Sequence, residues 1–473
     1  MGNFKKDFLS GVFYSSIAKY VGLFISVIIT AILARLIPPS DFGVIAVATI
    51  CINFVNLLTD FGLGPAIVQN DQLSKSDLRS LFSFTIYGGL VAGLIVYVLS
   101  NNISAYYGDA QLINVIKLLS LNILFVTANI VPNALLLKAK KFKLIAIRSL
   151  LMQITGGIIG IVMAYNGFGL YALVCQSLFS CIGIFTFNYI QTSIVPVVRM
   201  RKSALMKVFS FSAFQFMAQI FNYFTKDIDK LLIGRYTSLA GLGYYEKSYR
   251  LMQLPVGNLS YVLAPVMQPV FNEYRYDLNT MYKKYGTMLK CLSLIGFPLS
   301  VFLYFESYDL IYIVFGNQWE PAVPVFQWLA LGIGFNILLS SSGPMYLVSN
   351  NVKLSFVNCI VEFVISIICI VIGLCLGGIN NVALMVSVGL LLRFCYIFTM
   401  LTCKAFRLPI KEFLSYIYVG FINSIVLFVT YYLINSFIVD KFSLYRIIIF
   451  SSIYVVAVLV PFFKLGLLKT IFK

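Results

Sequence analysis

The sequence contains no histidine. That removes imidazole metal ligands, histidine bases and histidine pH switches. Charge is scarce as well: 11% of the 473 residues are Asp, Glu, Lys or Arg, against 60% hydrophobic, and the mean hydropathy is +0.92. A soluble chain of this length needs a charged surface, and this one lacks the residues to build it. The apolar blocks show no period-two alternation, which excludes a transmembrane barrel. None of the nine cysteines forms a C-x-x-C pair, and all fall within or at the edges of apolar blocks. They read as small buried hydrophobes rather than as a metal or disulfide site. There is no phosphate loop, nucleophile–base pair or metal motif, so no cofactor, no metal and no enzyme activity are expected.

What the chain has instead is long apolar runs. A run of about 20 residues crosses the bilayer core as a helix, and only helices or closed barrels satisfy the backbone there. The runs predict an all-α polytopic membrane protein of about fourteen transmembrane helices. The first six are 11–36, 42–68, 81–100, 112–137, 144–165 and 168–191. The next six are 208–235, 243–271, 287–305, 324–348, 354–376 and 379–401, followed by 414–436 and 444–466. Lys5 and Lys6 precede the first run as in a signal peptide, but Gly11–Leu36 is longer than a signal h-region and is kept as a span.

The net charge of +18 follows from topology rather than from a nucleic-acid partner. Every second connection is basic: Lys138, Lys140, Lys141, Lys143 and Arg148; Arg199, Arg201, Lys202 and Lys207; Arg275, Lys283 and Lys284; Lys404, Arg407 and Lys411. The opposite side carries Arg35, Arg235, Lys441 and Arg446. The positive-inside rule places both termini in the cytoplasm, as an even number of helices also requires. Anionic lipid is the alternative reading of the basic runs.

A shift of 200 residues aligns Arg35, Gly43, Leu63 and Pro65 with Arg235, Gly243, Leu263 and Pro265. An offset of six helices preserves direction across the membrane, so the repeat is parallel. This predicts a six-helix bundle at 1–191, a second at 208–401 and two further helices at 414–473, with a substrate site between the bundles.

Several strings carry a family likeness. LARLIPPSDFGVIAV (Leu33–Val47) is followed by FVNLLTDFGL (Phe54–Leu63), DKLLIG (Asp229–Gly234) and LGYY (Leu242–Tyr245). Leu254-Pro255, FGNQW (Phe315–Trp319) and AVP (Ala322–Pro324) complete the series. In order and spacing they resemble the polysaccharide transporter branch of the multidrug/oligosaccharidyl-lipid/polysaccharide exporter superfamily, which includes O-antigen and colanic-acid flippases. The likeness covers most of residues 10 to 330; residues 350–473 match by hydropathy alone. It implies two bundles forming a V around a central cavity, a bacterial inner-membrane location, and a substrate carried on undecaprenyl diphosphate. Membrane lipids and other polysaccharide-assembly proteins are the further partners it implies.

Intramembrane charges face protein or a wet cavity. They are Lys19, Asp60, Lys226, Asp227, Asp229, Lys230, Glu246, Lys247, Arg250, Glu362 and Arg393. Most lie on the helices that the likeness places around the cavity. Lys226 and Lys230, four apart, share a face with Tyr223. Glu246 and Arg250 are also four apart and able to pair, with Tyr245 and Tyr249 beside them. A diphosphate-linked glycan needs cations for phosphate and aromatic faces for sugar. Lys19, Lys226, Lys230, Arg250, Tyr223, Tyr245 and Tyr249 are therefore the candidate substrate contacts. Asp60, Asp227, Asp229 and Glu246 are candidate cation or proton sites or ion-pair partners, with Asp60 open between pairing with Lys19 and ion binding. The bland alternative makes Lys226/Asp229, Asp227/Lys230 and Glu362/Arg393 structural pairs. A cation-coupled drug antiporter is the competing transporter reading, although a drug-cation cavity favours acids. A glycan polymerase or ligase would need a sizeable external loop, and Glu306–Val323 is the longest such segment.

Overall fold

The computed structural model describes residues 2–197, 201, 220, 223–224, 226–437 and 444–464. Among these the regular structure is entirely helical. The first series is α1 (Gly2–Leu36), α2 (Pro39–Asp60), α3 (Leu63–Gln69), α4 (Lys75–Tyr107), α5 (Gln111–Ala128), α6 (Ile130–Lys138), α7 (Phe142–Tyr165) and α8 (Leu170–Thr192). A helical stretch at 226–236, α9, leads to α10 (Leu239–Asn272), α11 (Leu278–Phe305) and α12 (Ser307–Phe315). Then come α13 (Ala322–Leu331), α14 (Ile333–Leu339), α15 (Ser342–Val348), α16 (Val352–Cys375), α17 (Ile379–Thr399), α18 (Ile410–Phe437) and α19 (Leu444–Lys464). Each expected span other than 208–235 overlaps a helix or a run of short helices. Most of 208–235 lies outside the described residues.

Local chemistry sets the breaks. Pro39 opens α2, where its missing N–H costs nothing. Phe61 and Gly62, both left-handed, part α2 from α3. Ser74 and Asp77 form a reciprocal capping box at the start of α4, with N···O distances of 3.1 and 3.2 Å. Asp277 caps α11 by accepting from the Thr280 N–H at 3.0 Å, and bonding to Thr280 holds its carboxyl below the usual carboxylate range.

The chain is a multi-pass membrane protein. Among the described residues ten helices are long and apolar enough to cross a membrane. The pair Ala322–Leu331 and Ile333–Val348, bent by 45°, makes an eleventh if it is one span. α10, with Glu246, Lys247 and Arg250 in its first turns, is not among the ten, and α19 supplies a shorter apolar stretch, Ile447–Phe463.

The chain divides into two compact units, Met1–Gly243 and Tyr244–Lys473. In the first, α4 packs on α5, and α7 on both α1 and α8. Leu63, Ile67, Leu81, Phe82 and Val131 form one fully buried cluster there. In the second unit, α11 is the most buried candidate span, flanked by α18, α14, α13 and α19. Lipid tails give helices no hydrophobic drive to associate, so close approach through small residues matters. α11 meets α18 where Gly420 abuts the Ser293 backbone. Buried tyrosine hydroxyls tie the rest: Tyr282 to Thr402 at 3.1 Å, Tyr285 to Ser341 at 2.9 Å, and Tyr346 to the Ile397 carbonyl at 2.7 Å. The two last helices join this unit, with Tyr431 stacked on Phe450 at 4.2 Å over Val301 and Phe305.

Two expectations are corrected. Cys359, Cys375, Cys395 and Cys403 are exposed rather than buried; on helices bathed in lipid a small apolar side chain is at no disadvantage outside. Glu362 and Arg393, on neighbouring α16 and α17, form no ion pair with each other among the described residues.

Candidate functional site

In the first unit the charges of α9 fall on a helix, so residues three apart meet. Lys230 Nζ lies 2.6 Å from Asp227 Oδ1, both side chains mostly shielded from solvent. Asp229 is buried, and its Oδ1 accepts the Lys230 backbone N–H at 2.8 Å. Lys226, one turn before Lys230, is exposed. Tyr223 donates its hydroxyl to the Ile50 carbonyl at 2.5 Å and packs its ring 5.7 Å from Phe54, both on α2. Further along, the Arg235 guanidinium sits 5.0 Å over the Tyr106 ring at the end of α4. Of the sequence candidates, Tyr223, Lys226, Asp227, Asp229 and Lys230 thus share one short segment, part of it against α2.

Lys19 and Asp60 lie elsewhere in the unit. Lys19 Nζ is 6.0 Å from the neighbouring Tyr20 ring. No ion pair joins it to Asp60. Asp60 Oδ1 is inaccessible and has no hydrogen-bond partner among the described residues, and neither has Asn56 Oδ1 one turn earlier. Between them Thr59 shares a 3.0 Å hydroxyl–hydroxyl bond with Thr127 of α5. Two orphaned acceptors one turn apart are costly unless a proton or cation reaches them.

In the second unit the start of α10 is locked to the corner before α13. Tyr244 meets Trp319 edge-on at 5.8 Å, and Ser248 Oγ donates to the Ala322 carbonyl at 3.3 Å. Tyr245 is fully buried and stacked on Tyr249 at 5.8 Å, so its ring has no face open to a ligand in this conformation. Glu246 pairs with adjacent Lys247 at 3.5 Å, and Arg250 is exposed.

The sequence reading missed one polar centre. Arg148, assigned to a basic loop, is buried inside α7 and donates to Asn188 Oδ1 and, at 3.4 Å, to Asn133 Oδ1. Asn188 Nδ2 in turn donates to Asn129 Oδ1 at 2.7 Å. Its position past Ile145–Ile147, already within an apolar run, was the available signal.

The fold is that of a polytopic α-helical membrane protein with charged residues on its spans. The structure is similar to that of a lipid II flippase, MurJ, in an inward closed conformation, with a TM-score of 0.76 at 17% identity over 96% of this chain and 99% of that one. The chain belongs to the polysaccharide biosynthesis protein family, whose profile matches residues 32–324. It is 24% identical over 438 residues to the lipopolysaccharide biosynthesis protein WzxC of Escherichia coli K12, covering 92% of this chain and 87% of the relative. It is also 24% identical over 358 residues to the teichuronic acid biosynthesis protein TuaB of Bacillus subtilis 168, covering 75% and 74%.

Proposed function

We propose that the chain is a flippase that moves undecaprenyl-diphosphate-linked oligosaccharide units from the inner to the outer leaflet of the bacterial cytoplasmic membrane. The supporting observation is the family match through 32–324, the stretch holding the charges of α9 and α10, on a fold shared with a lipid II flippase. The basic connections support a topology with both termini in the cytoplasm.

In this reading Lys226 and Lys230 meet the diphosphate, with Lys19 and Arg250 as further cations. Tyr223 and Tyr249 offer ring surface to the first sugars, and Tyr245 acts by holding Tyr249. Asp227 has a definite part. A shielded ammonium without an anion is costly, and Asp227 satisfies Lys230 when substrate is absent. The incoming diphosphate, with more charge and more acceptor oxygens, competes for the same ammonium. Return of Asp227 then favours release. Alternating access gives the exchange a direction. Asp60, with Asn56 as second acceptor, is assigned the coupling proton or cation. In this reading the chain acts as a carrier, and the segment Glu306–Val323 is filled by α12 and the short turn Asn317–Trp319.

A deletion strain tests the reading. Surface glycan should fall while lipid-linked intermediate accumulates on the cytoplasmic face, and the plasmid-borne gene should reverse both. Loss of glycan without accumulated intermediate would point to a biosynthetic rather than a transport step.

A further inference from the structure

A cavity of about 550 Å³ opens in the second unit. Tyr304, Tyr308, Glu320, Gln327, Tyr432 and Asn435 supply its polar lining. A second hollow of about 320 Å³ continues it, sharing Tyr308, Glu320 and Val323 and adding Tyr312 and Asn317. The combined size suits a small molecule or a short oligomer.

The lining is chemically consistent. Tyr308 and Tyr312, one turn apart on α12, hold their rings nearly parallel, 14° between planes and 6.2 Å between centres. Phe428 of α18 packs on Tyr304 at 6.1 Å and on Phe305 at 5.2 Å, fixing the opposite wall. Against these flat surfaces stand one carboxylate and the amides Gln327, Asn435 and Asn317. Among the described residues no Lys or Arg lines either hollow. A phosphate or an acidic sugar would meet the Glu320 carboxylate with no cation among those lining residues to balance it. An acyl chain would leave the carboxylate and amides unpaired. A neutral sugar matches both features: its C–H face lies on a tyrosine ring, and its hydroxyls donate to the carboxylate and exchange bonds with the amides.

Position adds meaning. α11 runs from Lys283 and Lys284 near its start to Phe305, and α18 from Lys411 to Asn435. The cavity therefore lies at the ends of these helices remote from the basic connections, on the side that the charge distribution assigns to the exterior.

We propose that this cavity is an outer-side subsite for a neutral saccharide, which holds the glycan portion of the substrate once it has crossed. The inference rests on the flippase reading for its role in transport, but not for binding itself.

The chain carries its own reporters. Its two tryptophans, Trp319 and Trp328, are adjacent in sequence to the wall residues Glu320 and Gln327. The full-length protein in lipid discs is titrated with free glucose, galactose, N-acetylglucosamine and diacetylchitobiose while tryptophan emission is followed. At least one sugar should give a saturable change. Glu320→Gln should weaken that binding by about tenfold or more, the loss expected for a charge-assisted bond. Asn435→Ala, at the exposed end of α18, provides a second variant that spares the core. Thermal unfolding of each variant, matched to the parent, confirms folding. Absence of any saturable change, or binding unaltered in both variants, overturns the proposal. So does choline displacing the sugar signal at lower concentration than the sugars themselves, since aromatic rings with one carboxylate also suit an organic cation. The deletion strain separates the two readings. Sugar binding without accumulated intermediate retires the flippase and leaves the subsite; accumulation without sugar binding does the reverse.

Discussion

Gly43 and Leu239 touch backbone to backbone: a Cβ on Gly43 would stand 1.8 Å from the Leu239 carbonyl oxygen. The contact has a counterpart, because a Cβ on Gly243 would stand 2.1 Å from the Pro39 carbonyl oxygen. Pro39 and Leu239, like Gly43 and Gly243, are 200 positions apart. Residues 39–43 and 239–243, both within the first unit, therefore meet in a reciprocal fashion.

Neither partner in this crossing is a flexible side chain, so an added methyl group must part the helices. Gly43→Ala and Gly243→Ala are each expected to destabilise the protein by roughly 1–3 kcal/mol, the usual cost of overpacking. Gly64→Ala, where no atom lies near the new Cβ, should be close to neutral. Thermal unfolding of the purified variants reads the difference, and equal melting temperatures for all three would contradict the tight crossing.

Arg148 gives a second prediction. Its charge is held by the neutral amides of Asn188 and Asn133, so its removal orphans acceptors inside the unit. Arg148→Leu should cost on the order of 2–4 kcal/mol, from the unmet polar groups and the misfit side chain. Asn188→Leu should be at least as harmful, because it strands a buried cation. Detergent-solubilised yield and melting temperature report both. Wild-type values for Asn188→Leu would mean that the amides do not carry the guanidinium.

Much of this was legible beforehand. Helix positions followed from apolar run length, and the α9 pairing of Asp227 with Lys230 from a spacing of three. Side-chain direction was not legible. Tyr245 and Tyr249 look alike in sequence, yet Tyr245 is sealed in the core. Glu246 had Arg250 one turn away, but Lys247 is the residue at 3.5 Å. The saccharide cavity was invisible for a different reason. Its walls come from segments more than a hundred residues apart, and tyrosines in an apolar run carry no mark of the hollow they line. Arg148 was misread because a basic cluster next to a span conceals where the membrane begins.

Topology is testable without any structural perturbation. In a cysteine-free background, a cysteine replacing Asn102 should react with an impermeant maleimide in intact spheroplasts, and one replacing Lys140 should react only after lysis. The sequence 101–111 is free of Lys and Arg, whereas 138–143 holds four lysines, and it is this asymmetry that orients the chain. The opposite labelling pattern would invert the assignment of every basic connection, and with it the outer position of the saccharide cavity.

The pair of Lys230 and Asp227 provides the sharpest test, because structural and substrate roles predict different outcomes. Were the pair purely structural, each single neutralisation would leave an uncompensated shielded charge. The cost would approach ~3–5 kcal/mol for a fully buried pair and less here, since both side chains retain some exposure. Abundance would drop in Lys230→Gln and in Asp227→Asn, and the double variant would regain both abundance and export. In the exchange proposed above, Lys230 is needed by the substrate and Asp227 only by the empty carrier. Lys230→Gln should then lose export beyond any fall in abundance, and adding Asp227→Asn should restore abundance but not export. Asp227→Asn alone should bind the lipid-linked substrate more tightly, because nothing competes for the ammonium, and should turn over more slowly, because nothing helps it leave. Membrane abundance, surface glycan and copurifying lipid-linked glycan, measured across the three variants, separate these cases. Full rescue of export in the double variant would rule out Lys230 as a diphosphate contact.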